Sequence, residues 1–198
     1  RQQVPLNGQW LFHTSPEKDF WKKERILGWE TIEVPGEWVM QGFNVEKGKT
    51  AGYYRTFTVP ESWKGKRIKL RCNGIYSDSR VYINGKEAGS HLGGFTAFEL
   101  DVTALIYYGE ENRIAVSVVS ESLADSTSNG SRYAVHPLGG IVRDLYLFAL
   151  PEVNLAMFHI STSFDTLYTD ATLTAEIAIT NESKSEVGNL SLHFTLTD

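Results

Sequence analysis

The sequence predicts an all-β protein, and three patterns in it support that class. Apolar and polar residues alternate with a period of two in run after run, as in half-buried strands. No run shows the sustained 3.6-residue period of a helix. Turn-forming pairs separate the runs at the spacing of a β-sandwich; they include Asn73-Gly74, Asn84-Gly85 and Pro60-Glu61.

Alternation places the strands of the first 150 residues in order. Two runs carry their apolar side chains at Ile68, Leu70 and Cys72 and at Ile114, Val116 and Val118. Between these runs, Asn84-Gly85 supplies the two positive φ angles of a tight primed turn, so we expect a hairpin there. A short helix is expected over Thr103 to Tyr108, capped by Asp101 or Thr103 and stopped at Gly109. Residues 144–150 read as a closing strand, apolar on both faces.

A domain boundary is expected at Pro151, which separates residues 1–150 from residues 151–198. Three alternating runs follow it: Val153 to Phe164, Ala171 to Asn181 and Asn189 to Thr197. An immunoglobulin-like sandwich needs about seven strands in about 100 residues. We therefore expect the chain to stop inside its second domain, with unpaired strand edges free to recruit a second copy.

Composition excludes several classes of protein. The net charge of −5 argues against a nucleic-acid binder, which needs a basic face. The longest apolar runs fall far short of the roughly 20 residues that span a bilayer, and no signal peptide is expected because polar residues follow Arg1 directly. The single cysteine, Cys72, excludes an internal disulfide, and its place in an alternating run predicts a buried thiol.

The sequence indicates no cofactor, no metal site and no catalytic residue. Gly48-Lys49-Thr50 resembles the end of a phosphate-binding loop, but Gly42 lies one position too far upstream and no strand-to-helix context surrounds it. The five histidines do not stand at metal-ligand spacing. A glycosidase needs two carboxylates around the scissile bond, and no motif singles out two of the 24 acidic residues.

Aromatic residues carry a carbohydrate-binding hypothesis, because the apolar faces of sugars stack on aromatic rings. All five tryptophans lie in the first third of the chain. Trp10 and Trp63 sit in strand contexts that predict packing in the core. Trp38 follows Val34-Pro35-Gly36 in a polar, glycine-rich stretch, so it is the candidate for an exposed sugar-binding ring.

The polar stretch from Glu121 to Gly140 is the second candidate. About 20 residues without strand or helix rarely persist in a compact domain unless the loop has a function. Its candidate substrate-binding residues are Asp125, Arg132, Tyr133 and His136. The alternative is an ordered surface crossover that packs against a neighbouring domain, and the two interpretations are compatible.

Two arginines stand on apolar faces of predicted strands. Arg55 alternates with Phe57 and Val59, and Arg143 alternates with Ile141 and Leu145. An unpaired buried charge is costly, so each is expected near a strand end. We expect a carboxylate partner for each, from Asp101, Asp144 or Glu99.

Five segments stand in a specific order along the chain: Leu6 to Trp10, Val34 to Gly36, Gly52 to Arg55, Asn73 to Thr103 and Gly139 to Asp144. In this order they resemble the landmarks of the N-terminal sugar-binding domain of glycoside hydrolase family 2. That family includes β-galactosidases, β-glucuronidases and β-mannosidases.

This resemblance implies a jelly-roll β-sandwich over residues 1–150, then a truncated immunoglobulin-like β-sandwich. A (β/α)₈ barrel with two catalytic glutamates would follow it beyond these 198 residues. In such enzymes the jelly roll leans against the barrel, and its loops complete a substrate subsite. The resemblance therefore implies a carbohydrate substrate and the barrel of the same chain as partners. It also implies a periplasmic or secreted location, with a cytoplasmic one left open.

Two positions depart from the pattern of some β-galactosidases, which place an Asn before the Gly-x-Tyr landmark and an Asp before the Gly-Ile-x-Arg landmark. Lys49 and Ala134 stand there instead, so galactose specificity is in doubt and a glucuronide, a mannoside or another glycoside stays open. The leading hypothesis is a non-catalytic, substrate-positioning part of a family 2 glycoside hydrolase. The alternatives are a stand-alone carbohydrate-binding module and a purely structural interdomain sandwich.

Overall fold

The computed structural model describes residues 2–128 and 138–197, and within them the chain is all-β, as the sequence predicts. The strands are β1 (Gln3–Pro5), β2 (Gly8–His13), β3 (Glu30–Val34), β4 (Ala51–Thr58), β5 (Arg67–Cys72), β6 (Ile75–Tyr76), β7 (Asp78–Ile83), β8 (Lys86–Leu92), β9 (Phe98–Asp101), β10 (Glu111–Val119), β11 (Gly140–Ile141), β12 (Leu145–Leu150), β13 (Val153–Phe164) and β14 (Ala171–Asn181). A short helix, α1, spans Leu123–Ser128, and 3₁₀ turns lie at Phe20–Lys22, Val39–Gln41, Glu61–Trp63 and Thr103–Leu105. The chain divides into two units, Arg1–Ala149 and Leu150–Asp198.

Two antiparallel sheets share the core of the first unit. One has the strand order β3-β2-β4-β10-β7-β8, and the other has the order β1-β12-β5-β9. The main buried cluster takes Trp10 and Tyr53 from the larger sheet and Leu70, Cys72 and Leu147 from the smaller one. Burying a large apolar side chain contributes roughly 1.5–3 kcal/mol. Hydrophobic burial therefore holds the two sheets together, and the expected burial of Trp10 and Cys72 is confirmed.

The larger sheet is also covered on its other face. Tyr54, next to Tyr53 in β4, points away from the main core and joins a second buried cluster with Phe20 and Tyr82. Trp21 stacks on Tyr82, with ring centroids 4.2 Å apart and planes 6° apart. The stretch between β2 and β3 thus closes this face, which explains why β4 is buried on both sides.

The predicted hairpin is confirmed as β7 and β8. Asn84 and Gly85 have φ angles of 51° and 81°, the two positive values of a type I′ turn. The Asn84 side chain also donates to Asn112 Oδ1 and to the Leu105 carbonyl, both at 2.8 Å. The turn is therefore fixed by its backbone angles and by a side-chain anchor.

The predicted helix after β9 is wrong in length, because only the single 3₁₀ turn Thr103–Leu105 forms. Its first N–H donates to Asp101 Oδ1 at 3.0 Å, as expected of a capping aspartate. The fully buried Asn112 accepts the Tyr107 N–H at 2.8 Å and donates to the Tyr107 carbonyl at 2.7 Å. Because a side chain takes both backbone groups of Tyr107, no helix continues through it.

The second unit contains β13 and β14, whose bounds match two of the predicted runs. They pair antiparallel along their full length, with a bulge between Leu155 and Met157. The third predicted strand, Asn189 to Thr197, is wrong: no strand forms there and its side chains are exposed. Alternation describes the two faces of a strand, but a strand also needs a hydrogen-bonded neighbour. Within residues 150–197 the only strand pair is β13 with β14.

Candidate functional site

Tyr76 links the two ends of the polar stretch 121–140. Its backbone pairs with Gly140, because β6 and β11 form a small antiparallel sheet. Its hydroxyl donates to Asp125 Oδ1 at 2.6 Å, in the short helix α1. One residue thus holds both the beginning and the end of a stretch that the sequence marks as functional.

Ser77 anchors the first end of this stretch. Its buried hydroxyl donates to the Ser120 carbonyl at 2.5 Å and lies 2.7 Å from Ser122 Oγ. Ser122 in turn accepts the Asp125 N–H at 3.3 Å, so it acts as a cap for α1. The expectation of a stretch without helix is therefore wrong, since one short helix, α1, forms in it.

Trp38 anchors the second end. Its N–H donates to the Gly139 carbonyl at 3.2 Å, and the Gly36 N–H donates to the Ile141 carbonyl at 2.8 Å. A Cβ at Gly139 would lie 2.0 Å from the Trp38 ring, and one at Gly140 would lie 2.5 Å from a tyrosine hydroxyl. Only glycine fits at either position, which gives the Gly-Gly pair a physical reason.

The expectation that Trp38 is an exposed sugar-binding ring is wrong. Its side chain is 2% exposed and packs against Gly139 and Phe12, with the Trp38 and Phe12 ring centroids 6.1 Å apart. The polar, glycine-rich stretch around Trp38 suggested a loop surface. The glycines that make room for the indole are instead Gly139 and Gly140, about 100 residues away in sequence.

The tyrosine next to this anchor, Tyr53, is fully buried. Its hydroxyl is the atom that would meet a Cβ at Gly140. Burial disfavours the phenolate, so the pKa of Tyr53 is raised far above its ordinary value. Tyr53 therefore stays neutral and acts as packing beneath the second end.

Phe95 forms an exposed aromatic edge beside Tyr76. It is 53% exposed, and its ring centroid lies 5.3 Å from that of Tyr76 in a T-shaped contact. A Cβ at Gly94 would lie 1.9 Å from the Tyr76 ring, so the bend at Gly93-Gly94 can approach this closely only with glycine. Arg143 Nη1 donates to the Phe95 carbonyl at 3.2 Å and fixes the bend.

The predicted carboxylate partners of the two arginines are wrong. Arg143 lies in an exposed bend rather than on an apolar strand face, because the chain turns before β12. Arg55 does face the core side of β4, but its guanidinium donates to the carbonyls of Leu6 and Asn7 at 2.9 and 2.5 Å. An arginine guanidinium has five N–H donors and can therefore donate hydrogen bonds to several carbonyls at once. The charge is thus stabilised by backbone dipoles where the chain crosses from β1 to β2.

The proposed carboxylate partners are engaged elsewhere. Asp101 contacts Arg67 and Lys69 on β5 at 2.5 and 3.1 Å, and Glu99 contacts Arg71 at 2.8 Å. Asp144 accepts a hydrogen bond from Asn7 at 2.9 Å. The antiparallel pairing of β5 with β9 places Lys69 opposite Asp101 and Arg71 opposite Glu99. These ion pairs could not be read from the sequence, because they depend on the register of the two strands.

Of the predicted substrate-binding residues, the structure describes two: Trp38, buried at the second end of the stretch, and Asp125, half-buried at its first end. Arg132, Tyr133 and His136 lie outside the described residues. Sequence reasoning missed Tyr76, Ser77 and Phe95, since the string around Asn73-Gly74 indicated only a hairpin. A signal was present in the sequence, since Gly93 and Gly94 directly precede the bulky Phe95. Glycine at such a position indicates that the backbone approaches another group closely, here the ring of Tyr76.

The arrangement contains two groups of kinds that can contact a ligand. It offers a half-buried carboxylate at Asp125 and an exposed ring edge at Phe95, which are groups that recognise sugar hydroxyls and C–H faces. Within residues 2–128 and 138–197, no cluster of three or more His, Cys, Asp and Glu side chains is placed to hold a metal ion. In the same residues, no helix is long and apolar enough to cross a membrane.

Comparison with known proteins assigns this part of the chain to a family. Residues 44–151 match the model described as glycosyl hydrolases family 2, sugar binding domain. The chain belongs to glycoside hydrolase family 2. The matched residues contain Tyr76, Phe95, Asp125 and Gly140, whereas Gly36 and Trp38 lie just before the matched range.

Relatives match along 77% to 98% of this chain. The β-galactosidase of Priestia megaterium is 28% identical over 98% of this chain and 21% of its own length. The β-glucuronidase of Bacteroides fragilis is 31% identical over 77% of this chain and 21% of its own length. The solved β-glucuronidase of an uncultured Clostridium species superposes with a TM-score of 0.77 at 25% identity, over 92% of this chain and 34% of that one. The chain thus spans about a fifth of the length of these curated relatives and corresponds to their N-terminal part.

Proposed function

We propose that this chain is the non-catalytic, substrate-positioning part of a family 2 glycoside hydrolase. In this proposal residues 1–150 form a jelly roll and residues 151–198 begin an immunoglobulin-like sandwich. The stretch 121–140 contacts the sugar and packs against a catalytic barrel. The known relatives hydrolyse glycosides, as their names state, and the proposal brings that substrate class to this chain.

One observation carries the proposal. Tyr76 binds Asp125 with its side chain and Gly140 with its backbone, so the family landmarks hold both ends of the stretch 121–140. A crossover with a purely structural role does not need Tyr76 to hold both ends, nor a carboxylate fixed near the exposed ring of Phe95. Side chains that are already fixed lose less entropy when a ligand binds. In this proposal, the contacts of Tyr76 fix Asp125 for that purpose.

The first test is activity of the chain alone. We expect no hydrolysis of p-nitrophenyl β-galactoside, β-glucuronide or β-mannoside, because no catalytic carboxylate pair is assigned to these residues. Hydrolysis by the purified 198-residue chain would refute the non-catalytic assignment.

The second test separates substrate positioning from a stand-alone binding module. The matched N-terminal part of the Priestia megaterium β-galactosidase is replaced by this chain, and Asp125→Asn is introduced into the chimera. We expect KM to rise several-fold with kcat little changed, while the exposed control Glu186→Gln leaves both unchanged. Submillimolar binding of methyl glycosides by the isolated chain would instead favour a stand-alone carbohydrate-binding module. An unchanged KM in Asp125→Asn would favour a purely structural sandwich.

The family resemblance also leads us to propose export to the periplasm or beyond. The single, buried Cys72 is equally compatible with a cytoplasmic location. Fractionation of a host expressing the natural gene would test this proposal.

A further inference from the structure

Polar contacts hold the bend of residues 93–97, which joins β8 to β9. The Gly93 N–H donates to the Ser77 carbonyl at 2.8 Å, where the chain leaves β8. Arg143 Nη1 donates to the Phe95 carbonyl at 3.2 Å, in the middle of the bend. Both contacts are made to backbone groups of the bend, so they fix the path of the chain itself.

Glycines let three segments meet beside this bend. A Cβ at Gly74 would lie 3.1 Å from Arg143 Cδ and 3.1 Å from the Gly94 carbonyl oxygen. A Cβ at Gly94 would lie 1.9 Å from the Tyr76 ring. Glycine at such positions indicates a close approach of the backbone to its neighbours. The stem of Arg143, the bend and the residue before β6 are thus packed together.

Arg143 is the residue that spans these segments. Its aliphatic stem packs on Gly74, and its backbone N–H donates to the Gly74 carbonyl at 3.3 Å. Its guanidinium reaches the Phe95 carbonyl on the other segment. The residue is nevertheless exposed, so its stem can pack while its charge stays hydrated. Arg143 therefore fixes the position of one segment relative to another without being part of the core.

The bend places the ring of Phe95 near the candidate carboxylate. Tyr76 contacts the Phe95 ring, with centroids 5.3 Å apart, and its hydroxyl donates to Asp125 Oδ1 at 2.6 Å. The same residue therefore fixes the ring and the carboxylate. Carboxylates accept hydrogen bonds from sugar hydroxyls, and aromatic rings pack on the C–H faces of sugars. All of these residues belong to the first unit.

We propose that the Phe95 ring packs on the C–H face of the bound sugar and that Arg143 is the positioning residue that holds this ring in place. The inference rests on the proposed function and extends its sugar contacts from the stretch 121–140 to the bend 93–97. Arg143 acts through the Phe95 carbonyl and does not touch the sugar. A ring that is fixed before binding loses less entropy, and a shift of the bend would worsen its contact.

Kinetics of the chimera with the Priestia megaterium enzyme test the role of Arg143, with p-nitrophenyl β-galactoside as the substrate. Arg143→Met keeps an aliphatic stem but removes the donor, so we expect KM to rise several-fold with kcat little changed. Arg143→Lys should stay closer to the wild-type KM, because the Phe95 carbonyl needs only one of the lysine N–H donors. Arg25→Met, at an exposed arginine outside the bend, is the control and should change neither constant. A wild-type KM in Arg143→Met overturns the inference.

A double-mutant cycle tests whether Arg143 acts through Phe95. Phe95→Leu removes the ring and should raise KM at least as much as Arg143→Met, whereas Phe95→Tyr keeps a ring and should not. In the presence of Phe95→Leu, Arg143→Met should add no further rise in KM. Additive effects would mean that Arg143 acts elsewhere, and the inference would fail. Both residues are exposed, so these substitutions leave the core intact, and tryptophan fluorescence checks that each variant is folded.

The outcomes separate this inference from the proposed function. If Asp125→Asn raises KM and Phe95→Leu does not, the proposed function stands and this inference fails. If Phe95→Leu raises KM and Asp125→Asn does not, the inference stands and Asp125 has no role in binding. A loss of kcat at unchanged KM in Phe95→Leu would mean that the ring contacts protein rather than sugar, which also overturns the inference.

Discussion

The Tyr76 hydroxyl lies 2.6 Å from Asp125 Oδ1, across 49 residues of sequence. A hydrogen bond to a carboxylate is among the stronger neutral-donor contacts in proteins. The backbone of Tyr76 also pairs with Gly140. The two contacts of Tyr76 together fix Asp125, near the beginning of the stretch 121–140, and Gly140, at its end.

Removing the Tyr76 hydroxyl should loosen α1 without disturbing the core. Tyr76→Phe keeps the ring contact with Phe95 and loses the bond to Asp125, so we expect a loss of about 1 kcal/mol in unfolding free energy. Amide exchange in residues 123–128 should become faster. Tyr107→Phe, at a 52% exposed tyrosine, is the control and should change neither. Unchanged exchange in Tyr76→Phe would show that the hydrogen bond does not hold α1.

A side chain at Gly139 should be strongly destabilising. The Cβ of Gly139→Ala would meet the Trp38 ring at 2.0 Å, and overpacking of a well-packed site costs roughly 1–3 kcal/mol or more. Urea unfolding followed by tryptophan fluorescence measures this loss. Gly188→Ala is the control, since a Cβ there meets nothing within 4 Å. Equal stability of the two variants would contradict the packing of Trp38 on the glycine pair.

The contacts of Arg55 should not tolerate lysine. Its guanidinium serves the carbonyls of Leu6 and Asn7 together, whereas an ammonium on a flexible chain reaches them with worse geometry. We expect Arg55→Lys to lose about 1–3 kcal/mol of unfolding free energy. The exposed Arg25→Lys serves as the control. A loss below the error of urea titration would mean that these carbonyls need no guanidinium.

Asp101 should make the first unit sensitive to acid. Burial acts to raise its pKa, but hydrogen bonds from Thr103 and Lys69 outweigh burial, so the pKa lies below the ordinary value. A lowered folded-state pKa gives stability that is complete above the unfolded value of about 4 and is lost as pH falls through the folded value. Asp101→Asn should therefore lower stability at pH 7 and flatten its decline below about pH 4.

Urea midpoints from pH 2 to pH 7 measure this dependence. The exposed Glu186→Gln is the control for removal of one carboxylate, and we expect it to keep the wild-type slope. If the urea midpoint of Asp101→Asn falls with pH as steeply as that of the wild type, other groups cause the acid sensitivity.

Cys72 should be inert in the folded chain. It is fully buried, and burial raises the pKa of its thiol, so little thiolate is available to react at pH 8. We expect labelling by a disulfide reagent only after unfolding in urea. A new cysteine at the exposed Ser191 should react at once and serves as the positive control. Rapid labelling of native Cys72 would show that the core opens locally.

Local signals predicted much of the secondary structure. The Asn84-Gly85 turn depends on the backbone angles that these two residues prefer. The bounds of β13 and β14 follow from alternation within each segment. Both signals come from residues that are neighbours in sequence. The prediction failed at Asn189 to Thr197, where the alternation is equally regular but no neighbouring strand completes the hydrogen bonds.

The candidate site was only partly predictable for a related reason. Asp125 was found because it lies in a long polar stretch. Its donor Tyr76 comes from a strand 49 residues earlier, and periodicity carries no information about a contact at that separation. Trp38 was misjudged because the glycines that bury it, Gly139 and Gly140, lie about 100 residues away in sequence.

By itself, the sequence determined the all-β class, the order of the family landmarks, the primed turn and the buried thiol. Each of these depends on residue type and on spacing within one segment. Only the tertiary structure decided that Trp38 is packing rather than a binding ring, that Arg55 serves carbonyls rather than a carboxylate, and that Tyr76 holds Asp125. Such outcomes depend on which distant segments the hydrophobic core brings together, and the core forms from all of its strands at once.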